Sequence, residues 1–505
     1  MEESNRLEEE RRAKVTRLRA EGLEPYPWEF PGRVGSDRIR ESCARIPPGE
    51  ADRSGSVRVA GRLRAVRVHG KTTFADLEDG YGTVQLLLRA DALGEAPYGR
   101  WLSFLDPGDI VGAEGFAAVS RRGEPSVEVG GLTLLAKAIA PPPEKYHGLQ
   151  DPEEKLRRRY LDLLASPESR ERFRLRTHLL QEIRAVLDAS GFLEVETPVL
   201  GPVASGAAAA PFVTRSNYLD QEVRLRIATE LSLKRLVVGG LEKVYELGKV
   251  FRNEDLDTTH SPEFTELEVY WAYADYHDMR RLVESLFERL ADRTVELSGG
   301  SEEARRRAAA FRPPFATVDF VDELERRSGL VGVAEKGREE LASLARGIGS
   351  TVPAESTRGT FLDKLFEHYV EPTFDRLTFV VDHPAATTPL AKRHRSKPGR
   401  VERFEIFVPP GYELGNAYTE LNDPDEQERR FREQLAEKGA EHYAYDEEYV
   451  RALRHGLPPT TGVGLGVDRI VMALTGAASI KEVLLFPLVR PRPLPSDRGP
   501  AAPPG

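Results

Sequence analysis

The chain has 505 residues, a formal charge of −10 and a single cysteine, Cys43. Its length predicts about three domains with a sizeable core, and its charge excludes a bulk polycation, so binding to nucleic acid would depend on local patches. One cysteine excludes an intramolecular disulfide framework. The N-terminal segment is charged, and no run of residues approaches the roughly 18 apolar residues of a membrane span. These three features together favour a cytoplasmic protein without a membrane partner.

The first part of the chain predicts an extension followed by a small barrel. Residues 1–52 begin with a charged helical stretch and continue through a Pro-rich segment into a loop, so we expect them to lie outside a core. Residues 53–140 contain short β-rich runs separated by Gly and Asp turns, which predicts a small antiparallel barrel. An OB-fold is the natural candidate.

Residues 141–490 predict a larger domain of helices and strands. Ser166 and Pro167 form a helix start, because Ser caps a helix and Pro is tolerated in its first turn. That helix should end near Gly191. Its apolar stripe is Leu179, Leu180, Ile183 and Leu187.

Two further segments have distinct compositions. The charged segment 297–356 predicts a helical insertion within the larger domain. The tail 491–505 is poor in core-forming residues, which predicts disorder. The chain shows no internal repeat.

The segment FRNEDLDTTHSPEFTELEVYWAYADY, residues 251–276, is the most informative stretch. It combines an arginine able to contact phosphate, acids in a loop and carboxylates at every second position, which indicates an adenylate-forming site. Residues two apart lie on one face of a strand, although a strand with its polar face in bulk water would alternate in the same way. The polar face carries Phe264, Glu266, Glu268 and Tyr270, and the apolar face carries Leu267, Val269 and Trp271.

A second stretch, GYELGNAYTELND, repeats this alternation. Asn416, Tyr418 and Glu420 share one face of the predicted strand. If both strands line one pocket, Glu268 and Glu420 are buried, and a buried carboxylate is costly unless a cation pairs with it. The two strands therefore favour a ligand that carries an ammonium group.

A third stretch, TTGVGLGVDRIVMAL, has glycines at alternate positions before a helical run that contains Arg469. Gly462, Gly464 and Gly466 would let a flat ligand lie close to the strand. A dinucleotide fold would need a strand, helix and strand around them and an acid about 20 residues on, and that context is missing. The chain also lacks GxxxxGK[ST], HExxH and paired CxxC motifs, so nucleotide chemistry must use another scaffold.

Three motifs together resemble a known enzyme class. GFLEVETPVL (191–200), FRNE with its hairpin, and GVGLGVDR resemble motifs 1, 2 and 3 of the class II aminoacyl-tRNA synthetases. The resemblance is strongest to the lysyl-tRNA synthetases and runs from about residue 21 to 491. That family shares the order of KYHGLQDPEEKLRRRYLDL, RIATELSLKRLVVGGLEKVYELGKVFRNE, PLAKRHRSKPG, NAYTELNDPDEQ and SIKEVLLFP.

The resemblance implies an α+β fold, with an N-terminal OB-fold barrel that reads the tRNA anticodon and a class II catalytic domain whose antiparallel sheet is flanked by helices. It implies a homodimer formed through motif 1, with ATP bent over the sheet. The implied reaction attaches lysine to tRNA(Lys) through a lysyl-adenylate, for translation. The expected partners are tRNA(Lys), ATP and L-lysine, and the expected metal is Mg²⁺, without zinc.

The resemblance also implies roles at the nucleotide. Arg252 would contact the α-phosphate and the lysine carboxylate, where attack on phosphorus spreads negative charge over oxygen. Phe264 would stack on adenine, and Arg469 would engage the γ-phosphate. Glu405 and Glu413 match the family's magnesium ligands, and Mg²⁺ prefers such oxygen donors. The implied catalytic residues are Arg252, Glu254 and Arg469, and the implied ATP site is Arg252, Glu254, His260, Phe264, Glu413 and Arg469.

A lysine pocket follows from the same resemblance. Glu230 would meet the α-ammonium and Glu268 the ε-ammonium of the amino acid. Two pocket carboxylates would repel an acidic side chain and do not suit its amide, so aspartate and asparagine ligases are disfavoured. The implied pocket consists of Gly206, Glu230, Arg252, Glu268, Tyr270, Asn416, Tyr418 and Glu420.

In the barrel, the resemblance implies an anticodon site. An aromatic ring can stack on an unpaired base, and Gln offers a donor and an acceptor to a base edge. Phe74 could instead be a core residue. The basic loop KRHRSK, 392–397, is either a solvated loop or a phosphate contact, and we favour phosphate. The implied anticodon residues are Arg67, Phe74, Gln85 and Glu124.

The chain departs from the family pattern around the amino acid. SGAAAAPF replaces GGAxARPF, so Ser205 stands for a glycine and Ala210 for an arginine. Ser232 stands for a tyrosine, and Glu266 stands for a methionine on the polar face of its strand. VPPGYE, in place of VGGRE, adds one residue before Glu413. The loss of one positive and gain of one negative charge would either retune the pocket for another diamine or be compensated drift.

Three functions are compatible with these residues. A lysine–tRNA ligase is the favoured hypothesis. The second is a synthetase paralogue that activates a lysine analogue or uses a non-tRNA acceptor, although an anticodon reader would be idle with a protein acceptor. The third is a non-catalytic tRNA-binding protein, against which the retained charged site residues argue.

Overall fold

The computed structural model describes residues 2–143, 149–207, 209–254, 256–353, 356–409, 411–436 and 445–491. The tail for which we predict disorder lies outside these residues from position 492 onward. The chain divides into two compact units, one of residues 1–150 with 160–165 and one of residues 151–159 with 166–505. Among the described residues, no helix is both long enough and apolar enough to cross a membrane.

A closed five-stranded barrel forms the first unit. Its strands are β1 (Ala51–His69), β2 (Thr72–Asp79), β3 (Gly82–Arg89), β4 (Ile110–Val119) and β5 (Pro125–Ala136). The strand order is β1-β2-β3-β5-β4. Neighbours are antiparallel except β3 and β5, which pair in parallel. The predicted antiparallel barrel is therefore closed by one parallel contact, because the chain crosses from β3 to β4 before it returns through β5.

Helices of the first unit complete the core of the barrel. They are α1 (Glu2–Ala20), α2 (Ser36–Cys43), α3 (Ala90–Leu93) and α4 (Glu95–Phe104). We expected residues 1–52 to lie outside a core, and this is wrong. Leu18, Ile39 and Cys43 are buried in one cluster with barrel residues such as Val59. The charged composition of the segment conceals these few apolar side chains.

A mixed eight-stranded sheet organises the second unit. Its strand order is β12-β13-β14-β15-β16-β11-β10-β6, and a separate small sheet has the order β7-β9-β8. The six inner strands are mutually antiparallel, as the resemblance predicts, whereas the two edge strands pair in parallel with their neighbours. The strands are β6 (Leu193–Glu194), β7 (Leu200–Gly201), β8 (Val213–Ser216), β9 (Gln221–Leu225), β10 (Lys243–Phe251), β11 (Glu263–Ala272), β12 (Ala316–Asp319), β13 (Thr378–Val381), β14 (Arg403–Val408), β15 (Tyr412–Thr419) and β16 (Thr460–Gly466).

The remaining helices lie before, between and after these strands, and the second of them belongs almost wholly to the first unit. They are α5 (Pro152–Arg157), α6 (Arg159–Ala165), α7 (Pro167–Ala189), α8 (Glu230–Val238), α9 (Tyr276–Leu297), α10 (Glu302–Ala309), α11 (Phe320–Ser328), α12 (Arg338–Gly347), α13 (Arg358–Tyr369), α14 (Pro424–Ala436), α15 (Glu447–Leu453) and α16 (Val467–Thr475). Short 3₁₀ helices span Val333–Glu335, Glu371–Thr373, Ala385–Thr387 and Ile480–Glu482.

The predicted start of α7 is confirmed. The helix begins at Pro167, and Ser166 Oγ accepts a hydrogen bond from the Ser169 backbone N–H at 3.1 Å. After α7 the chain turns through Gly191, whose φ of +80° lies in the left-handed region that favours glycine. The segment 297–356 is mainly helical, but it also supplies the edge strand β12.

One face of the sheet is the core of the second unit. Leu267 and Val269 of β11 are buried in a cluster with Val463 of β16 and with side chains of α7, α9 and α16. The predicted apolar face of β11 is thus confirmed. The opposite face is left for polar side chains, and it is there that the candidate site lies.

Candidate active site

Neighbouring strands place a row of polar side chains across the open face of the sheet. The register pairs Glu246 with Glu268, Glu268 with Gly464, Gly464 with Asn416, and Asn416 with Glu405. Glu246 is already satisfied, since it pairs with Arg226 of the segment before α8. The two acidic strands that the sequence singles out therefore face one site.

The glycines of β16 have different functions within this row. A Cβ at Gly462 would lie 2.3 Å from the Tyr270 ring and 2.5 Å from Glu420 Oε1, so close packing requires glycine there. A Cβ at Gly464 would meet nothing closer than Glu268 at 3.5 Å. Gly464 thus leaves open floor beside the carboxylates, as expected for a strand under a ligand.

A buried lysine lies between two of the predicted pocket carboxylates. Lys234 Nζ is fully buried, lies 2.6 Å from Glu230 Oε1 and pairs directly with Glu420. Burial lowers the pKa of Lys234, but the two carboxylates outweigh it and hold that pKa well above its usual value. We expected a ligand ammonium beside Glu420, whereas the structure has a protein ammonium there. The Glu230–Lys234 spacing of one helical turn was the available signal.

Glu268 has no such partner. Its side chain is buried, and the Tyr270 hydroxyl donates a hydrogen bond to Oε2 at 2.9 Å. Within the described parts of the chain, no cationic side chain lies in ion-pair distance of this carboxylate. Burial, followed by the charges of Glu266 and Glu230, raises the pKa of Glu268 well above its ordinary range. A cation placed here would relieve both effects.

Glu266 adds a further negative charge to this face. Its Oε1 lies 3.8 Å from Nη2 of Arg252, and its buried Oε2 has no hydrogen-bond partner among the described residues. Burial raises the pKa of Glu266, and Arg252 opposes that rise. Around Glu268, the described residues therefore group four carboxylates with two cationic groups, namely Glu230, Glu266, Glu268, Glu420, Lys234 and Arg252. The excess of negative charge suits a cationic ligand.

Arg252 lies at the open end of the carboxylate group. Its guanidinium lies over the Phe264 ring, 5.0 Å from the centroid, and its Nε donates to the Ile227 carbonyl at 3.3 Å. Glu254 is exposed and accepts a hydrogen bond from the Ala210 backbone N–H at 2.8 Å. The structure thus brings Arg252 and Phe264 into contact, while Glu254 ties the hairpin loop to the preceding segment.

A second cationic side chain, Arg469, is held in the first turn of α16. Its Nη1 donates to the Glu413 carbonyl at 2.7 Å, and its Nη2 donates to His260 Nε2 at 2.9 Å. His260 Nδ1 in turn donates to Asp257 Oδ2 at 2.9 Å. Although burial raises it, the pKa of Asp257 falls to about 2 because of hydrogen bonds from Thr259 and His260. Sequence reasoning missed Asp257, one of the loop acids.

The helix that carries Arg469 is anchored from two sides. Asp468 Oδ2 accepts from the Thr265 backbone N–H at 2.8 Å, and Oδ1 lies 2.6 Å from Arg176 of α7. The first contact is a hydrogen bond to a buried carboxylate and the second is an ion pair. They fix the first turn of α16 against β11, and so fix the direction in which Arg469 leaves the helix.

A β-bulge sets the position of Glu413. Phe407 pairs with Glu413 and Ile406 with Gly415, so one extra residue, Leu414, lies on β15 between them. Leu414 turns into the core, and Glu413 joins Asn416 on the polar face, where Asn416 Nδ2 donates to its Oε1 at 3.1 Å. A strict period of two would have placed Leu414 on the polar face and Glu413 in the core.

Glu405 lies beside Glu413 on the adjacent strand. Arg403 pairs with it, and burial raises the pKa of Glu405 to about 8, with Arg403 opposing the rise and Glu413 adding to it. Strand pairing continues to Val408 and Tyr412, so Glu413 lies on the strand and not in the turn. Within the described residues, no group of three or more His, Cys, Asp or Glu side chains is arranged to hold a metal ion.

The remaining residues of the predicted lysine pocket border this face. Gly206 has a φ of +93°, and a Cβ there would lie 3.6 Å from the Glu230 Cβ. Tyr418 lies under the Arg403 guanidinium, 5.8 Å from the ring centroid. Gly206 therefore has a conformational reason to be glycine next to the start of α8, and Tyr418 packs against Arg403.

Of the four substituted residues, the two serines have partners outside the carboxylate group. Ser205 Oγ donates to Asp446 Oδ2 at 2.8 Å, and Ser232 Oγ accepts from Arg235 at 3.3 Å. Both serines line a separate cavity of about 250 Å³. Ala210 contributes its backbone to Glu254. Ala210 thus lacks a guanidinium next to Glu254, and Glu266 adds a carboxylate to the candidate site.

In the barrel, three of the four predicted anticodon residues share the outer face. Arg67 pairs with Phe74 in the register, and its guanidinium makes two hydrogen bonds to Asp76 at 2.6 and 2.7 Å. Gln85 faces Asp76 on β3. The interpretation of Phe74 as a core residue is wrong, because its neighbours on β2 are the fully buried Thr73 and Ala75, whereas Phe74 is only half-buried.

Glu124 lies in the turn before β5 rather than on that face. Its backbone N–H donates to Ser120 Oγ at 3.0 Å, and its carbonyl accepts from Ser126 Oγ at 2.9 Å. Ser126 Oγ also lies 3.3 Å from Gln85 Oε1. The turn thus adjoins Gln85. Asp76, which holds Arg67, was not singled out from the sequence, although it shares the period of Phe74.

Comparisons with known proteins agree with both units. The family of class II tRNA synthetases of the D, K and N types matches residues 151–490, and the OB-fold nucleic acid binding domain matches residues 57–135. The chain is 47% identical to a lysine–tRNA ligase of Roseiflexus castenholzii over 495 residues, which cover 97% of this chain and 100% of that one. It is 46% identical to a lysine–tRNA ligase of Chloroflexus aurantiacus over 499 residues, with 97% and 99% covered. A lysine–tRNA ligase of Moorella thermoacetica is 43% identical over 495 residues, again with 97% and 99% covered.

Proposed function

The chain belongs to the class II aminoacyl-tRNA synthetases of the aspartate, lysine and asparagine group, and from this we propose that it is a lysine–tRNA ligase. Such an enzyme attaches lysine to tRNA(Lys) through a lysyl-adenylate. The identity to lysine–tRNA ligases over nearly the whole chain supports this activity. The two units supply the two parts that the reaction needs, a catalytic sheet and an OB-fold that binds nucleic acid.

The observation that carries the proposal is the state of Glu268. It is a buried carboxylate on the open face of the sheet, without a cationic partner among the described side chains. A buried charge without a partner is strongly unfavourable, and an ammonium group at hydrogen-bond distance would reverse this. The ε-ammonium of lysine supplies such a group. Glu230, which already holds Lys234 through Oε1, is the carboxylate that we assign to the α-ammonium, through its remaining lone pairs.

Adenylate formation makes one bond and breaks one. A carboxylate oxygen of lysine attacks the α-phosphorus of ATP, and the bond to the bridging oxygen of the leaving pyrophosphate breaks. Negative charge grows on the α-phosphate oxygens. Arg252 is the cation that we assign to this charge, and Phe264 beneath it offers a ring face to adenine. Arg469, fixed by His260 and the Glu413 carbonyl, is assigned to the γ-phosphate.

Transfer to tRNA follows on the same face. A hydroxyl of the terminal ribose attacks the carbonyl carbon of the adenylate, the bond from that carbon to the phosphate oxygen breaks, and AMP leaves with the electron pair. The hydroxyl proton passes to solvent or to a phosphate oxygen. In the barrel, Phe74, Arg67 and Gln85 have the chemistry to stack on and hydrogen-bond the unpaired anticodon bases, with Glu124 in the adjoining turn.

Enzymes of this family use ATP with a divalent metal, and we propose Mg²⁺ held by Glu405 and Glu413, without a zinc site. Mg²⁺ is usually bound by one or two carboxylates with substrate phosphates and water. The two side chains fit, because they are adjacent oxygen donors and because their mutual charge helps to raise the pKa of Glu405. When bound, the ion would neutralise phosphate charge.

We also propose that the protein is a homodimer through motif 1. An unusual number of large apolar side chains is exposed around this motif, and such patches mark interaction surfaces. Solution scattering or light scattering of the purified protein would test it, and a monomeric mass would disprove it. Because its proposed partners are those of translation, we assign the protein to the cytoplasm. The exposed side chains are Leu193 at 53%, Val199 at 39%, Leu200 at 53%, Val203 at 43%, Val213 at 52%, Tyr218 at 95% and Leu219 at 57%.

The test of the proposed activity is lysine-dependent exchange of pyrophosphate into ATP, followed by charging of tRNA(Lys). We expect both reactions in the wild type, loss of both in Arg252→Ala, and a large rise in KM for lysine in Glu268→Gln. A wild type that exchanges pyrophosphate only with a lysine analogue would instead support a paralogue. A protein that binds tRNA without any exchange would be a non-catalytic tRNA-binding protein.

A further inference from the structure

A basic cavity of about 520 Å³ lies in the second unit, outside the residues assigned above. It is enclosed by α13, by the loop between β13 and β14, and by α14. Its volume lies within the range typical of ligand sites. Among the described residues, five cationic side chains line it, against two acidic ones; the cations are Arg393, Lys397, Arg400, Arg429 and Arg430.

Three arginines of the cavity share two carboxylate partners among the described residues. Glu426 lies 2.8 Å from Arg393, 2.6 Å from Arg430 and 3.7 Å from Arg429. Arg429 has one further partner, Glu433 on the same helix. Among the described residues, two carboxylates therefore serve three guanidinium groups at the rim, whereas Lys397 and Arg400 deeper in the cavity are balanced by Asp319 and Asp382. An anion in the cavity would balance the third guanidinium group.

Two of these arginines are free to turn towards a ligand. The side chains of Arg393 and Arg429 are 67% and 48% exposed. Ion pairs at such exposure contribute little, so exchanging their partner for a phosphate loses little. The floor is different, because Lys397 is fixed by Asp319 at 2.9 Å and Asp382 at 2.6 Å. The cavity thus combines a fixed floor with adaptable cations at its rim.

A short chain of contacts connects the cavity to the candidate active site. Thr387 lines the cavity, and its Oγ1 accepts a hydrogen bond from Arg403 Nη1 at 3.1 Å. Arg403 also contacts Glu405, two residues further along β14. Two residues of a strand span about 7 Å. A ligand in the cavity would therefore lie two side-chain contacts away from Glu405, without occupying its position.

We propose that this cavity binds phosphate groups of the tRNA acceptor end while its terminal ribose approaches the adenylate. The proposal rests on the function proposed above, since it assigns a site to the second substrate of that reaction. Successive phosphates of a strand follow at short intervals, so those just before the reacting ribose must lie close to the adenylate. Arginine is well suited to them because its planar group can donate two hydrogen bonds to one phosphate.

Free pyrophosphate is the alternative ligand that carries phosphate groups. It is formed beside Glu405 and Glu413, on the other side of Arg403 from the cavity, and the proposed metal ligands already serve it. The exposed rim arginines favour a ligand that arrives from solvent after the adenylate has formed. We therefore assign the cavity to tRNA.

The test uses the variant Arg393→Gln with Arg429→Gln, which leaves Arg430 to balance Glu426. We expect lysine-dependent pyrophosphate exchange within about twofold of wild type, and a fall of about tenfold or more in kcat/KM for tRNA charging. The slope of that kcat/KM against salt concentration, on logarithmic scales, should decrease by about 1.4, because each contact to a single strand contributes about 0.7. The paired variant Arg393→Lys with Arg429→Lys should recover most of the charging.

A matched control is available on the same helix. Arg432 of α14 is 71% exposed, pairs with Glu428 and does not line the cavity, so Arg432→Gln should charge tRNA as the wild type does. Unchanged charging by the double Gln variant would overturn the proposal, as would an equal loss of pyrophosphate exchange, which would indicate a structural role. A raised inhibition constant for pyrophosphate with an unchanged KM for tRNA would assign the cavity to pyrophosphate instead.

Failure of the proposed function would be visible separately. A wild type without pyrophosphate exchange would contradict the ligase activity. Direct binding of tRNA by the wild type and the double Gln variant, compared over a range of salt, would still test the cavity. Equal affinities for tRNA and equal salt dependences in the two proteins would overturn the assignment of the cavity to tRNA.

Discussion

Arg469 Nη2 donates a hydrogen bond to His260 Nε2 at 2.9 Å, which links the first turn of α16 to the loop of the β10–β11 hairpin. Because His260 also binds Asp257, it holds the guanidinium in one direction. We expect His260→Ala to raise KM for ATP about tenfold, the magnitude of one hydrogen bond to a charged group, with KM for lysine unchanged. Pyrophosphate exchange at varied ATP measures this. His277→Ala, an exposed histidine on α9, is the control, and an equal rise there would contradict the assignment.

Removing the ammonium of Lys234 should destabilise the fold. Lys234→Met leaves Glu230 and Glu420 buried without their cation, and breaking a buried pair costs about 3 to 5 kcal/mol. Urea denaturation would measure the loss of free energy of unfolding. Adding Glu420→Gln to Lys234→Met should restore part of it, since one uncompensated charge is then gone. Arg235→Ala, on the exposed side of α8, should be near neutral, and a similar loss there would count against the explanation.

Glu266→Met should shift the pH dependence of lysine binding. Glu268 must be ionised to hold an ammonium group, and burial together with the charge of Glu266 raises its pKa. Binding therefore weakens as pH falls through that raised pKa. Without Glu266 the pKa of Glu268 decreases, so binding should persist to lower pH. Calorimetric titration with lysine over neutral and mildly acidic pH would measure this, and identical profiles would show that Glu266 does not act on Glu268.

Phe74→Ala should weaken recognition of tRNA without affecting lysine activation. Stacking of one base on an aromatic ring contributes about 1 to 3 kcal/mol, which corresponds to a rise in KM for tRNA of about tenfold or more. Charging kinetics and pyrophosphate exchange, measured together, separate the two steps. Tyr81→Ala provides an exposed aromatic control in the turn between β2 and β3. A loss in both reactions would indicate that Phe74 stabilises the barrel instead.

Much of the candidate site follows from simple periodicity. The period of two on β11 separates Leu267 and Val269 from Glu266 and Glu268, and the structure buries the first pair in the core. The helix cap at Ser166 could also be predicted from the sequence, because helix caps and strand alternation depend on residues close in sequence. The roles of the individual site residues came from the resemblance to one family, whose motifs occur in the same order.

Features that depend on distant packing could not be predicted in this way. Lys234 reaches Glu420 only because α8 packs over the sheet, far from β15 in sequence. The bulge at Leu414 reverses the alternation of β15, so periodicity alone would have turned Glu413 into the core. The apolar residues Leu18 and Ile39 were too sparse to reveal that the N-terminal helices complete the barrel.

Lys234 also limits which substitutions in the pocket can be accepted during evolution. The protein encloses a lysine ammonium of its own between two of the carboxylates that border the position proposed for its substrate. Loss of this ammonium would leave both carboxylates buried without a cation, and would lower the amount of folded protein before any change in substrate preference could be selected. Selection for folding alone therefore preserves Lys234, whereas Glu266, which does not hold this internal ammonium, is outside that constraint.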